Sequence, residues 1–136
     1  MIADPGLWPS AVEELMRFES PVTDGGRIAL ADLDLPSGEH VGAGTLMAMS
    51  WSAANLDAKY FPDPLSVDLR RAPNPHIGFA SGFHRCLGSH LARMEMVVAM
   101  EVWHERIPDY RIRPGAELVY SGNPRCPHDF PLEWAG

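Results

Sequence analysis

Cysteine is scarce in this 136-residue chain: Cys86 and Cys126 are the only two, and neither belongs to a CxxC pair. That excludes a disulfide framework. Basic residues are scarce as well, 11 Lys and Arg against 18 Asp and Glu, leaving a net charge of -7. A generic nucleic-acid surface needs the opposite balance, so no nucleic-acid partner is expected. No apolar run reaches the roughly 18 residues of a membrane-spanning helix, and no membrane partner is expected either. The opening MIADPGLWPS lacks a basic region followed by an apolar core, so no signal peptide is read and a cytoplasmic location is expected. Internal repeats and low-complexity segments are also missing. With 46% hydrophobic and 21% charged residues, the chain has the composition of one folded domain rather than of a disordered segment.

Three stretches are present. In PSAVEELMRFESP, Ser10 and Glu13 stand at capping-box spacing, which predicts a helix over about residues 11–19 with Val12, Leu15 and Met16 on its apolar side and Pro21 as its stop. Residues 22–79 are loop-rich. RIAL and VGAGTLMAMS read as short strands, and the proline-dense FPDPLSVDLRRAPNP admits no regular element. From Leu87 the chain turns helical, with Leu87, Leu91, Met94, Val98 and Val102 recurring at helical spacing until Ile107-Pro108. The tail, YRIRPGAELVYSGNPRCPHDFPLEW, suggests short strands joined by Pro-Gly and Gly-Asn-Pro turns.

The chemistry concentrates in GFASGFHRCLGSHLARMEM, residues 78–96. Cys86 stands one residue before the predicted helix start, where free amides and the helix dipole stabilise a thiolate. Gly82 and Gly88 flank it and leave room for something flat and bulky to approach the backbone. A buried structural cysteine explains the same residue, because free cysteine is often core. Cys86 and His90, four apart on one helical face, also fit a zinc chelate, although a structural zinc wants four ligands and no companion pair stands out. Glu14 and Arg17 are three apart and so neighbours on a helix. They form either an exposed pair contributing about 1 kcal/mol at most, or a buried pair that needs a further partner, for which Arg70 and Arg71 are available.

Taken in order, these motifs resemble the C-terminal part of a cytochrome P-450, a haem-thiolate monooxygenase of the soluble bacterial type. EELMR resembles the family's ExxR, carried by Glu14 and Arg17. DGGRIAL resembles its propionate-binding strand, AANLD its AANRD segment, and FPDPLSVDLRRAPNPHIGF the meander. FASGFHRCLG resembles the cysteine loop FGxGxHxCxG, GSHLARME the helix behind the haem, and IPDYRIRPG with PLEW the closing strands.

The resemblance implies an α+β C-terminal fragment of the mainly α-helical P-450 fold, with residues 1–136 forming part of a single domain whose N-terminal and distal-helix region is absent. It implies haem b (iron protoporphyrin IX), with Cys86 as metal ligand and Arg27 and His84 as propionate partners. The amides of Leu87 and Gly88 would face the sulfur, and Glu14, Arg17 and Arg71 would form a structural triad. No catalytic residue is expected in this chain, because the resemblance places the distal helix outside it. His76 is read as structural, and His40, His104 and His128 as surface residues. Cys126 is expected to be a buried or semi-exposed thiol with no role. Ala80, Phe83 and Leu56 depart from the family pattern, and alanine at position 80 is costly if the backbone there needs a positive φ.

The implied reaction inserts one atom of O2 into a small lipophilic substrate. NAD(P)H would supply electrons through a ferredoxin reductase and a ferredoxin docked near Arg85 and Arg93. A non-catalytic haem-binding or electron-accepting fragment is the alternative, and a degenerate reading frame with no stable product is a third reading.

Overall fold

A computed structural model describes residues 4–134. Helix α1 (Trp8–Glu19) starts earlier than the spacing suggests, with a single 3-10 turn, Pro5–Leu7, leading into it. Pro9 is tolerated in the first helical turn because its missing N–H has no intrahelical acceptor to lose. The expected capping box does not form. Ser10 lies inside the helix and its hydroxyl donates to Leu7 O at 3.0 Å, so the cap residue Leu7 is without a side-chain bond. Ser20 ends the helix in the left-handed region, its N–H donating to Met16 O.

Four small antiparallel sheets follow. Strand β1 (Asp24–Ile28) pairs with β4 (Leu46–Ser50), and β2 (Leu33–Asp34) with β3 (His40–Val41). β1 ends before Ala29, so only part of RIAL is strand. VGAGTLMAMS is broken at Gly44, whose φ of +83° makes a turn between β3 and β4. A five-residue helix, α2 (Trp51–Asn55), lies behind β1. Trp51 packs so closely over Gly25 that any Cβ there would fall 2.4 Å from its ring. Residues 56–81 hold no regular element.

Helix α3 (Ser89–Arg106) packs on α1. It begins at Ser89, three residues beyond Cys86 and later than the periodicity indicates. Leu87 and Gly88 form a turn closed by Ser89 N–H to Cys86 O at 3.2 Å. The closing strands pair as β5 (Tyr110–Ile112) with β8 (Leu132–Trp134), and β6 (Tyr120–Ser121) with β7 (Cys126–Pro127).

His104 is a correction. It is buried rather than superficial, with its ring 4.8 Å from Trp8. The Met100 carbonyl only accepts, so Nδ1–H donates to it at 2.7 Å and Nε2 accepts from the Tyr110 hydroxyl at 3.0 Å. This places the end of α3 against the start of α1. His40 and His128 are exposed, beside Asp34 and Ser121 respectively.

Candidate functional site

Two clusters converge where α1 meets the irregular segment and the cysteine loop. The first is built on Glu14 and Arg17, whose side chains are both 0% exposed, so the buried form of the pair is the one present. Nε and Nη2 of Arg17 each donate to a Glu14 carboxylate oxygen at 2.8 Å, a planar two-bond contact that lysine could not make. Arg71 adds Nε contacts at 3.1 and 3.2 Å, Asp68 a backbone N–H at 2.9 Å and Asn74 its amide at 3.1 Å. Arg17 also donates to the carbonyls of Asn55, Pro64 and Ser66, and Arg71 to those of Pro62 and Ser66. Two guanidinium groups thus satisfy several backbone acceptors of a segment without secondary structure.

Burial alone would raise the Glu14 carboxyl. Bonds from Arg17, Asp68 and Arg71 outweigh it and lower the pKa from 4.5 to about 2. Buried Asn55 completes the frame: its amide donates to Ser20 Oγ at 2.9 Å, and its carbonyl accepts Ile77 N–H at 2.8 Å.

The second cluster is the cysteine loop, entered through Phe79 and left through Gly88. Phe79 O accepts the Cys86 N–H at 2.9 Å and closes the loop. Inside it, Ala80 and Gly82 have φ of 54° and 58°, and Gly82–His84 forms one 3-10 turn. Gly82 supplies that conformation freely; Ala80 adopts it at a cost of about 1–2 kcal/mol. Cys86 is a free, exposed thiol, so the buried-cysteine reading is overturned, and Cys126 is free and exposed as well rather than buried or semi-exposed. A Cβ on Gly88 would lie 4.0 Å from its sulfur. Among the described residues no three His, Cys, Asp or Glu side chains gather to hold a metal ion, so the zinc reading gains no companion ligands.

The remaining sequence-predicted residues are not gathered into one hydrogen-bonded group. His84 is exposed at the end of the 3-10 turn, and Leu87 is 99% exposed. Arg27 lies on β1, where Nη1 donates to Gly26 O at 2.8 Å. Arg85 is exposed, whereas Arg93 is not a free surface cation: Nε and Nη2 donate to Glu13 at 2.6 and 2.9 Å. Leu56 caps the end of α2, and Phe83 is fully exposed. Sequence reasoning did not reach the roles of Glu13, Asn55 and Asn74. Asn55 had a signal in AANLD. Glu13 reads as the capping-box partner of Ser10, not as a ligand of distant side chains.

Comparison with known proteins agrees on one family. The cytochrome P-450 family model matches residues 6–103. Mycinamicin IV hydroxylase/epoxidase of Micromonospora griseorubida is 42% identical, over 96% of this chain and 34% of its own length. Nocardicin C N-oxygenase of Nocardia uniformis subsp. tsuyamanensis is 40% identical over the same shares. The crystal structure of HmtN, a post-tailoring hydroxylase involved in himastatin biosynthesis, superposes with a TM-score of 0.92 at 35% identity, over 98% of this chain and 36% of that one. The chain spans about a third of the length of the curated relatives it matches. No helix among the described residues is long and apolar enough to cross a membrane. The chain belongs to the cytochrome P-450 family.

Proposed function

We propose that this chain carries the haem-holding part of a haem-thiolate monooxygenase, one domain shared with chain outside these residues. The observation that supports it best is a free, exposed thiol on a loop whose backbone closes on both sides of the sulfur-bearing residue. The donor set suits haem b. A thiolate is a soft donor that iron accepts, the glycine at 88 leaves the space beside the sulfur open, and the exposed Leu87 presents apolar surface to a macrocycle. Cys86 would hold the iron through its sulfur, with the Leu87 and Gly88 amides tempering its charge. Arg27 and His84 would neutralise the propionates by charge-assisted contacts. Glu14, Arg17 and Arg71 would hold the irregular segment against α1 without touching the iron.

When bound, the haem supplies activation of O2: one oxygen atom enters a C–H or C=C bond of a small lipophilic substrate, and the other leaves as water after uptake of two electrons and two protons. The electrons come from NAD(P)H through a reductase and a ferredoxin. Arg85 is the cation open to an acidic partner, while Arg93 is removed from that role by Glu13. The setting is the cytoplasm.

A second reading is a haem-binding or electron-accepting module without catalysis, which needs only the exposed thiol of the cysteine loop. One experiment separates the two readings and can sink both. The chain is loaded with haem, reduced and exposed to carbon monoxide, beside Cys86→Ala. A thiolate-type Soret band that vanishes in Cys86→Ala supports haem-thiolate binding. Substrate turnover with ferredoxin and reductase favours the first reading, and the band without turnover favours the second. Unchanged pigment binding in Cys86→Ala overturns both.

A further inference from the structure

One carboxylate next to the triad holds the cysteine loop from both sides. Glu13 follows the helical turn onto a face adjacent to that of Glu14. Its Oε2 bonds His76 Nε2 at 2.9 Å, and its two oxygens receive Arg93 Nε and Nη2. His76 lies three residues before Phe79, on the segment that enters the loop. Arg93 lies in the first turns of α3, on the segment that leaves it.

Both partners are fixed further. His76 Nδ1 accepts the Gly78 N–H at 3.1 Å, so Nε2 carries the proton donated to Glu13. A Cβ at Gly78 would sit 3.2 Å from that nitrogen and 3.2 Å from Met16 O, so the entering backbone lies tight against α1. The Arg93 guanidinium is 4.4 Å over the Phe79 ring, and Nη1 donates to Ser89 O at 3.3 Å. Phe79, gripped by its ring, is the residue whose carbonyl holds the Cys86 N–H.

We propose that Glu13, His76 and Arg93 form a positioning clamp for the ligand cysteine: Glu13 fixes the entry and exit of the loop, and Arg93 transmits that restraint through Phe79 to the Cys86 amide. The clamp is distinct from the Glu14–Arg17–Arg71 cluster, which anchors residues 55–74. Its position also accounts for Arg93, a cation that faces Glu13 and Phe79 rather than a partner. The Glu13 carboxyl agrees with the geometry. Burial opposes its ionisation, yet hydrogen bonds from Arg93 and His76 hold it below the ordinary carboxylate range. The clamp deepens the haem-thiolate reading and rests on it for the meaning of the cysteine, but its test needs no haem.

Amide hydrogen exchange is measured in the unloaded chain for Glu13→Gln, Arg93→Lys and, as a remote control, Arg111→Gln. Arg93→Lys keeps the charge and loses the two-bond fork and the stacking over Phe79. Both clamp variants are expected to speed exchange at the Cys86 amide about tenfold, the equivalent of one lost charge-assisted bond. The Asp68 amide, donated to Glu14, should hold its rate, and Arg111→Gln should change neither. Alkylation of the Cys86 thiol gives a second reading on the same samples, expected to change in the clamp variants and not in the control. Cys86 protection that changes no more than Asp68 protection, or that is lost throughout the chain in both clamp variants, overturns the clamp, because either result makes the network a general support of the fold. Failure of haem to bind Cys86 would show in the carbon monoxide spectrum and would leave this exchange result standing.

Discussion

The inner side of α1 and the outer face of α3 handle their side chains in opposite ways. Against α1 the largest fully buried side chains are polar: Arg17, Glu14, Asn55, Ser20 and Ser89. Charge-assisted bonds answer the Glu14–Arg17 charges, and Asn55 and Ser20 bond each other. On α3, Leu91, Met94, Val98 and Val102 are 39–58% exposed although they recur at helical spacing. Apolar periodicity normally marks a buried face, and the described residues leave this one largely uncovered. Order near α1 is therefore specified by directional bonds inside the described residues. The α3 stripe is apolar surface for which those residues supply no cover.

The sharpest break of this comparison is Glu14→Gln. Half of a buried ion pair would remain, leaving Arg17 and Arg71 without their anion, and a loss of about 3–5 kcal/mol is expected in denaturant unfolding. Acid should reproduce part of that loss. A carboxyl depressed from 4.5 to about 2 contributes stability that is fully present above pH 4.5 and is lost as pH falls towards 2. A wild-type unfolding free energy that stays flat through that window, or a Glu14→Gln loss below 1 kcal/mol, would show that the cluster is not what orders this half.

Ala80→Gly tests the loop between the two regions. Relief of the left-handed alanine outweighs the added freedom of glycine in the unfolded chain, so a gain of about 1 kcal/mol or less is expected, read as a higher melting temperature. A lower melting temperature would place the strain elsewhere. The smallest effect belongs to the exposed stripe. Val98→Lys should change stability by no more than about 0.5 kcal/mol while lowering self-association in sedimentation. Destabilisation on the scale of a core substitution would mean that the face is packed after all.

Legibility followed the range of the interaction. Glu14 and Arg17 meet because three positions on a helix bring them together, and a reader of the sequence can see that they meet. Whether they are buried is invisible locally, and Arg71 joined them only through the family pattern of motifs. Glu13 reads locally as the capping-box partner of Ser10; its actual partners are 63 and 80 positions away, and nothing near it in the chain announces them. The capping box failed because Ser10 falls inside a helix that Pro9 allows to begin sooner. α2 was missed because five residues are too few to show a period. His104 lacked a motif yet is buried, since its position depends on Trp8 and Tyr110 folding over it.

What the amino-acid order settled unaided was short-range: two helices with their proline ends, the turn-broken strands, and a cysteine set between glycines ahead of a helix. These rest on backbone sterics and on contacts within a few residues, which are present in any stretch of chain. Only the tertiary structure decided which carboxylate faces which guanidinium, that the described residues leave the Cys86 thiol and the α3 stripe uncovered, and that Arg93 turns inward. Each of those outcomes is a competition among distant groups for the same few donors and the same buried volume, and such a competition has no local signature.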